Sequence, residues 1–261
     1  MPNVEINISI ATLCCSDFTG LVYSNFEMNH LAIYIVITGD YDTIKQPQVI
    51  TPGASYFLFT NNHSINDAGV WQIVYLEEDK IDGYVPEVAE DNVRIRNIRL
   101  SRKVKMLAHK YLPEGYDMSI YIDADMMIKD DLSILSELLN DNVLMAAFRH
   151  SYCTSVRAEI EDLTNRGVVE QEVVKNQWQR YLKWGFRDDI GVTENGILIR
   201  RHNNPKVVEL MELWWQEYLQ GCLRDQVSLM PCIFKCGFMP YMRFIEGNVR
   251  RNEWVEVMGH L

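Results

Sequence analysis

The stretch "YDMSIYIDADMMIKDDL", residues 116–132, is an apolar run suited to a buried strand, yet it carries two aspartates, Asp123 and Asp125, near its end. Side chains alternate along a strand, so residues two apart point the same way. Tyr121, Asp123 and Asp125 are therefore expected on one face, with Ile120, Ile122 and Ala124 on the other. In extended geometry the two carboxylates lie about 6–7 Å apart. Unpaired, they repel and at least one pKa rises. A divalent cation resolves the conflict: Mg²⁺ or Mn²⁺ prefers hard oxygen ligands, takes one or two carboxylates and completes its sphere with substrate phosphates. The pattern points to a metal-bridged phosphate ligand. The plainer reading is a solvated strand end that starts a turn, and Asp130 and Asp131 read as turn and N-cap residues of the next helix.

Outward from this stretch, strands and helices alternate. "LAIYIVITGDYD" is a buried strand running into a turn at Gly39-Asp40, "SYFLFTNN" a second strand and "WQIVYL" a third. "SRKVKMLAHKYLP" reads as a helix with Ser101 as N-cap and Pro113 just past its end. "SIYIDADMMI" is the fourth strand, "DLSILSELLN" a short helix and "VLMAAF" the fifth strand. Further on, "RAEIEDLTNRG", "VEQEVVKNQWQRYLKWG" and "NPKVVELMELWWQEYLQG" are helical, with "ENGILIRR" a strand among them. This alternation predicts an α/β fold whose mostly parallel sheet is covered on both faces. Such sheets bind ligands in the crevice at the carboxyl ends of their strands, where Asp123 and Asp125 fall.

A metal–diphosphate site needs cations, and residues 92–112, "NVRIRNIRLSRKVKMLAHKYL", hold seven Lys and Arg and no acid. Arg102, Lys105 and His109 are spaced i, i+3, i+7, so they project from one helix face and could meet phosphate oxygens or a ribose. Arg94, Arg96 and Arg99 alternate as strand or loop residues do and read as surface.

The chain has 261 residues and a net charge of −11, enough for a sizeable core and adverse to coating nucleic acid or anchoring on an anionic membrane. Its six cysteines show no zinc-ligand spacing and read as free thiols of a reducing compartment. No secretory signal and no apolar run of about 18 residues is evident, so the expectation is a soluble, cytoplasmic protein. Trp178, Tyr181, Trp214 and Tyr218 could stack on sugars, but at helical spacing they read as core.

Taken in order, "YIVITGDYD", "YFLFTNN", "SRKVKMLAHKYLP", "YDMSIYIDADMMIKDDL", "FRHSYC", "ENGILIRRHN" and "LRDQVSL" resemble the GT-A glycosyltransferases over roughly residues 31 to 240. More narrowly, the chain is similar to the hexosyltransferase-like family long filed as a domain of unknown function, with plant wall-polysaccharide and microbial or viral surface-glycan members. The DxD element alone is common to many families. The Arg-Lys-x-Lys-x-x-x-His helix feeding into it, with the later "FRH" and "RDQ", is more specific.

The resemblance implies one GT-A domain over residues 1–261: a nucleotide-sugar-binding half to about residue 150, then an acceptor-side half, the whole being one domain of a longer protein where the chain is a fragment. It implies a nucleotide-diphosphate sugar as donor, UDP favoured, with Mn²⁺ or Mg²⁺, and a glycan acceptor. Carried over by position, Thr38, Gly39, Asp40, Tyr41 and Asp42 hold the base and ribose, and Arg102 and Lys105 approach the phosphates. Asp123, Ala124 and Asp125 bind ribose and metal, with Asp125 the firmer metal ligand and His260 the late histidine. Arg149 and His150, then Glu194, Asn195 and Gly196, border the sugar and acceptor. Asp225 falls where inverting members place the catalytic base, with Glu194 and Asp189 the next candidates. The implied reaction moves a hexose or deoxyhexose to a hydroxyl of a glycan or glycoconjugate. Two rivals are a non-catalytic nucleotide-sugar or glycan-binding module and a DxD phosphatase; the latter normally has its motif near the chain start, and here Met127 stands where it has Thr or Val.

Overall fold

In a computed structural model of the chain, residues 30–77 and 92–259 are described. Three strands come first: β1 (Leu31–Ile37), β2 (Ser55–Thr60) and β3 (Gln72–Tyr75). Helix α1 (Val93–Met106) and the single turn α2 (Ala108–Tyr111) lead into β4 (Met118–Ile122), β5 (Met126–Ile128), α3 (Ser133–Ser136) and β6 (Met145–Arg149). Then follow α4 (Val156–Asn165), α5 (Gln171–Lys183), β7 (Thr193–Arg200), α6 (Pro205–Gln220) and α7 (Gln226–Lys235). Strands β8 (Met242–Ile245) and β9 (Val255–Val257) close the described chain.

Seven strands form one sheet in the order β3-β2-β1-β4-β7-β6-β8. The pairs β1/β2, β1/β4, β2/β3 and β6/β8 are parallel, and only β7 runs antiparallel to its neighbours. This is the mostly parallel α/β sheet expected. The all-apolar sequence of β1 is explained by burial on both faces: Tyr34 and Val36 pack with Tyr121, Leu198 and Trp214, while Ile33, Ile35 and Ile37 pack with Ile120, Ile197 and Leu135. Because β7 is inserted between β4 and β6, the second half of the chain shares this sheet with the first. Its antiparallel direction brings the start of β7 to the end of the sheet where β4 and β6 finish.

Three local expectations are corrected. The basic helix begins two turns early: Asn92 is its N-cap, its side chain accepting from the Ile95 amide, and Ser101 lies mid-helix. Arg94, Arg96 and Arg99 are thus helical, because a capped, Pro-free segment continues the ladder through them. The strand through the aspartates breaks after Ile122: the Met126 amide donates to the Asp123 carbonyl (3.0 Å) in a turn, and β5 departs to pair with β9 in a separate two-stranded sheet. Asp123 and Asp125 therefore lie on a turn and not on one strand face.

Trp178 packs against the core, and Tyr181, Trp214 and Tyr218 are fully buried within it. The Trp214 indole Nε1 donates to the Asp225 carbonyl and the Ser228 hydroxyl, both at 3.1 Å. One buried ring thus fixes both the helical layer and the start of α7. Trp214→Ala is expected to cost about 3–5 kcal/mol through the cavity and the lost hydrogen bonds. Trp214→Phe should cost clearly less, as read by urea denaturation of the two variants beside the parent.

Candidate active site

The turn after β1 is held from three sides. Thr38 Oγ1 donates to the Asn97 carbonyl of α1 at 2.9 Å. The Gly39 amide donates to Asn61 Oδ1 at 2.8 Å, and Asn62 donates back to the Gly39 carbonyl at 3.0 Å. Gly39 has φ 66°, a backbone conformation that favours glycine, and a Cβ there would displace the Asn97 amide, whose Nδ2 would lie 2.5 Å away. Asp40 is exposed, Tyr41 presents a ring 58% exposed, and Asp42 forms an ion pair with Lys45. Asn61, Asn62 and Asn97 escaped the sequence reading; the only sign was the turn-forming Asn pair ending β2.

Beside this turn lies a compact charge network. Lys105, fully buried on α1, places Nζ 2.7 Å from Asp225 Oδ2 and 3.4 Å from Asp123 Oδ1. Arg102 Nε is 3.6 Å from the same Asp225 oxygen. Tyr121 donates its hydroxyl to Asp123 Oδ1 at 2.6 Å, the i, i+2 contact that strand alternation allows. Burial alone would raise the Asp225 pKa, but Lys105 and Arg102 overcome it and hold the carboxyl below its ordinary value. Burial opposes the charge on Arg102, and Asp225, Tyr121 and Asp123 outweigh it, leaving the guanidinium more firmly protonated than usual.

Asp123 Oδ1 is occupied by these donors, while Oδ2 has no hydrogen bond among the described residues and faces Gly196, where a Cβ would come within 3.3 Å of it. Gly196 belongs to an irregular stretch of β7: pairing with β6 jumps from Ala147↔Leu198 to Phe148↔Glu194. That irregularity lets the Gly196 carbonyl accept from the Asp123 amide at 2.8 Å and opens the sheet's mouth beside the carboxylate. Asp125 is buried, and its carbonyl accepts from the Met258 amide at 2.8 Å, so the segment after β9 lies directly against the turn. Two carboxylates of hard oxygen on one tight turn form a donor set suited to Mg²⁺ or Mn²⁺. His260 lies outside the described residues.

Across the mouth, a cavity of about 330 Å³ is lined by Arg149, His150, Cys153, Asp189, Gly191 and Phe244 among others. The Arg149 guanidinium lies over the Phe244 ring at 4.1 Å, its Nε donates to Glu246 at 3.0 Å, and a Cβ on Gly191 would collide with Nη1 at 2.6 Å. His150 Nδ1 accepts from the Tyr152 and Cys153 amides at 3.2 and 3.0 Å, which places the ring proton on Nε2, 3.5 Å from Glu159. His150, Cys153 and Glu159 have metal-ligand spacing, but that tautomer leaves no lone pair on Nε2 for a metal. Burial and a hydrogen bond to Glu159 push the Cys153 thiol up to about 12. Glu194 is buried with Oε1 3.9 Å from His150 Nδ1, and Oε2 has no partner among the described residues.

Asp123, Ala124, Asp125, Arg102, Lys105 and Asp225 are thus brought together, with the Thr38–Asp42 turn, Arg149, His150 and Glu194 around the same end of the sheet. His109 is not. The helix breaks at Leu107, and His109 Nε2 lies 3.0 Å from Glu212 on α6, so it serves the packing of α2 on α6. Asp189 is exposed and paired with Arg187 at 3.3 Å. Asp225 Oδ2 lies 2.7 Å from Lys105 Nζ and 3.6 Å from Arg102 Nε, so the carboxyl is held within the same charge network.

Fold and site together describe a glycosyltransferase-like domain. The chain matches the family described as TOD1/MUCI70, glycosyltransferase-like domain, over residues 17–258, and belongs to it. No curated protein matches the sequence. Three solved structures share its general outline. WbbM, a bifunctional glycosyltransferase in its apo form, aligns with TM-score 0.43 at 11% identity over 84% of this chain and 39% of its own. The apo form of mouse xyloside xylosyltransferase 1 aligns with TM-score 0.44 at 11% identity over 84% of each chain. The galactosyltransferase LgtC, in complex with donor and acceptor sugar analogs, aligns with TM-score 0.46 at 13% identity over 84% of this chain and 74% of its own. Among the described residues no helix is long and apolar enough to cross a membrane.

Since the folded pKa of Asp225 is depressed, its stabilising effect is present above the unfolded carboxyl value, near 4, and is lost as pH falls through the lower folded value. Asp225→Asn should cost about 3 kcal/mol at neutral pH. The gap between variant and parent should close as pH drops below about 4, as followed by chemical denaturation across a pH series.

Proposed function

We propose that this domain transfers a hexose or deoxyhexose from a nucleotide-diphosphate sugar, UDP favoured, to a hydroxyl of a glycan or glycoconjugate. The observation that carries the reading is the turn Asp123-Ala124-Asp125 at the carboxyl end of β4, facing Lys105 and Arg102. Carboxylates on one side and cations on the other are what a diphosphate bridged to a divalent cation requires. Asp123 and Asp125 would hold that cation, with His260, which lies outside the described residues, as a third ligand. When bound, it neutralises charge on the departing diphosphate.

The chain's own residues supply the rest. Lys105 and Arg102 face the phosphates with donors set by Asp225 rather than by solvent, so little reorganisation is needed as leaving-group charge develops. The Thr38–Asp42 turn, fixed by its bonds to Asn61, Asn62 and Asn97, presents the exposed Tyr41 ring and Asp40 to a base and ribose. Residues before about 150 supply this donor side. The cavity edged by Arg149 and His150 is the acceptor side. If the anomeric centre inverts, Glu194 takes the acceptor proton, since its Oε2 is unengaged where Asp225 is committed to Lys105. A binding module would offer the same donor contacts without turnover.

A thermal-shift screen of nucleotide sugars with and without Mn²⁺ should single out one donor whose stabilisation depends on the metal. Asp125→Asn should abolish that dependence and lower transfer by about 10²-fold or more. If donor affinity and metal requirement survive neutralisation of both Asp123 and Asp125, the reading is wrong.

A further inference from the structure

The cavity edged by Arg149 and His150 is small and its walls are braced. At about 330 Å³ it stands at the lower end of ligand pockets, which run upward from about 300 Å³, with room for one sugar ring and not for a chain of them. Two loops, residues 150–155 and 187–192, form much of the wall, and the fold ties them together. The His150 amide donates to the Val192 carbonyl at 2.8 Å. The Asp188 carboxylate accepts from the Val156 and Arg157 amides at 2.7 and 2.9 Å, so the second loop grips the start of α4. Ser155 caps the same helix, its hydroxyl accepting from the Ala158 amide at 3.1 Å. Walls held at this many points keep their spacing. The second sugar of any longer acceptor has to lie outside.

The lining indicates what the cavity reads. Ile190, Met239 and Phe244 make an apolar side, and Arg149, Thr154 and Asp189 supply polar groups. Both charges are countered within the protein, Arg149 by Glu246 at 3.0 Å and Asp189 by Arg187 at 3.3 Å. Groups paired in this way offer donors and acceptors to hydroxyls rather than a net charge.

Tyr152 stands at the lip, flanked in the chain by His150 and Cys153 of the lining. At 82% it is the most exposed of the large hydrophobic residues described, and its ring is set edge-on to the His150 imidazole with centroids 6.4 Å apart. A single exposed ring is ordinary on a surface. This one differs in bordering a cavity and in being mounted on fixed backbone: its own amide and that of Cys153 both donate to His150 Nδ1. A tyrosyl side chain has only two rotatable bonds, so little freedom is lost when the ring is covered. Its open face matches the flat C–H face of a pyranose, and its hydroxyl can stay in water.

We propose that Tyr152 forms an outer acceptor subsite: its ring stacks on the second sugar of a glycan whose terminal sugar occupies the cavity, so the domain selects the end of an oligosaccharide over a single sugar. The inference rests on the assignment of this cavity to the acceptor side.

The test uses the full chain without donor or metal, and a panel of mono-, di- and trisaccharides covering the common hexoses, deoxyhexoses and pentoses. Binding is read by saturation-transfer NMR and titration. The parent should bind at least one disaccharide about tenfold more tightly than the methyl glycoside of its terminal sugar. Tyr152→Ala should erase that difference while leaving the affinity for the single sugar unchanged, a split that a loss of structure would not produce. Tyr152→Trp should keep the preference. A preference that survives Tyr152→Ala overturns the subsite, as does a parent that binds no longer sugar more tightly than its terminal unit. A Tyr152-dependent preference in a protein that transfers nothing from any nucleotide sugar with Mn²⁺ keeps the subsite and sinks the transferase reading. Transfer that proceeds to single sugars and longer chains alike, indifferent to Tyr152, does the reverse.

Discussion

Lys105 sits between two carboxylates, Asp123 from the sheet and Asp225 from the loop before α7, with almost no exposure to water. Two carboxylates meet its buried ammonium, and it in turn holds Asp225 ionised in a place where burial alone would raise its pKa. Remove the lysine and three elements lose their common contact: α1, the end of β4 and the start of α7. The network is also why Asp123 presents one engaged and one unengaged oxygen, the asymmetry that lets it belong to the protein and face a ligand together.

Geometry then does what chemistry requires. Parallel strands β1, β4 and β6 end at the same edge, and β7 enters the sheet there from the opposite direction. The irregular pairing at Asn195–Gly196 leaves space beside Asp123 that a regular ladder would fill. The turn after Asp123 sends β5 away to β9, so the chain's last strand closes over the aspartates and is fastened there by the Met258 amide. Site and fold share the same hydrogen bonds. A substitution such as Trp214→Ala, one hydrogen bond from the charge network through the Asp225 carbonyl, bears on both.

Much of this was legible in the sequence. Continuous apolar runs gave β1, β2 and β4, because strands buried on both faces have no polar side to confuse the period. The DxD turn and the Arg102–Lys105 pair were visible as local charge in an otherwise buried context. What failed to show was anything decided by a partner distant in the chain. His109 has the right spacing, but Glu212, about a hundred residues on, claims it. Nothing near Asp225 in the chain announces that Lys105 and Arg102, more than a hundred residues earlier, stand beside it. The early start of α1 was missed for a local reason: Arg94, Arg96 and Arg99 mimic a period of two within a helix capped by Asn92.

Helix α1 poses the sharpest question of packing. It is strongly polar, yet its inner surface buries Arg99, Lys103 and Lys105 beside Leu100, Val104 and Met106. Hydrophobic burial would favour apolar residues at those positions, and a hydrated helix would turn its cations outward. A chain with net charge −11 has no shortage of acids to pair them with, but the fold brings only Asp123 and Asp225 to Lys105 and Arg102, and no acid to Arg99 among the described residues. Retaining cations inside while withholding their counter-ions lowers the stability of the empty protein.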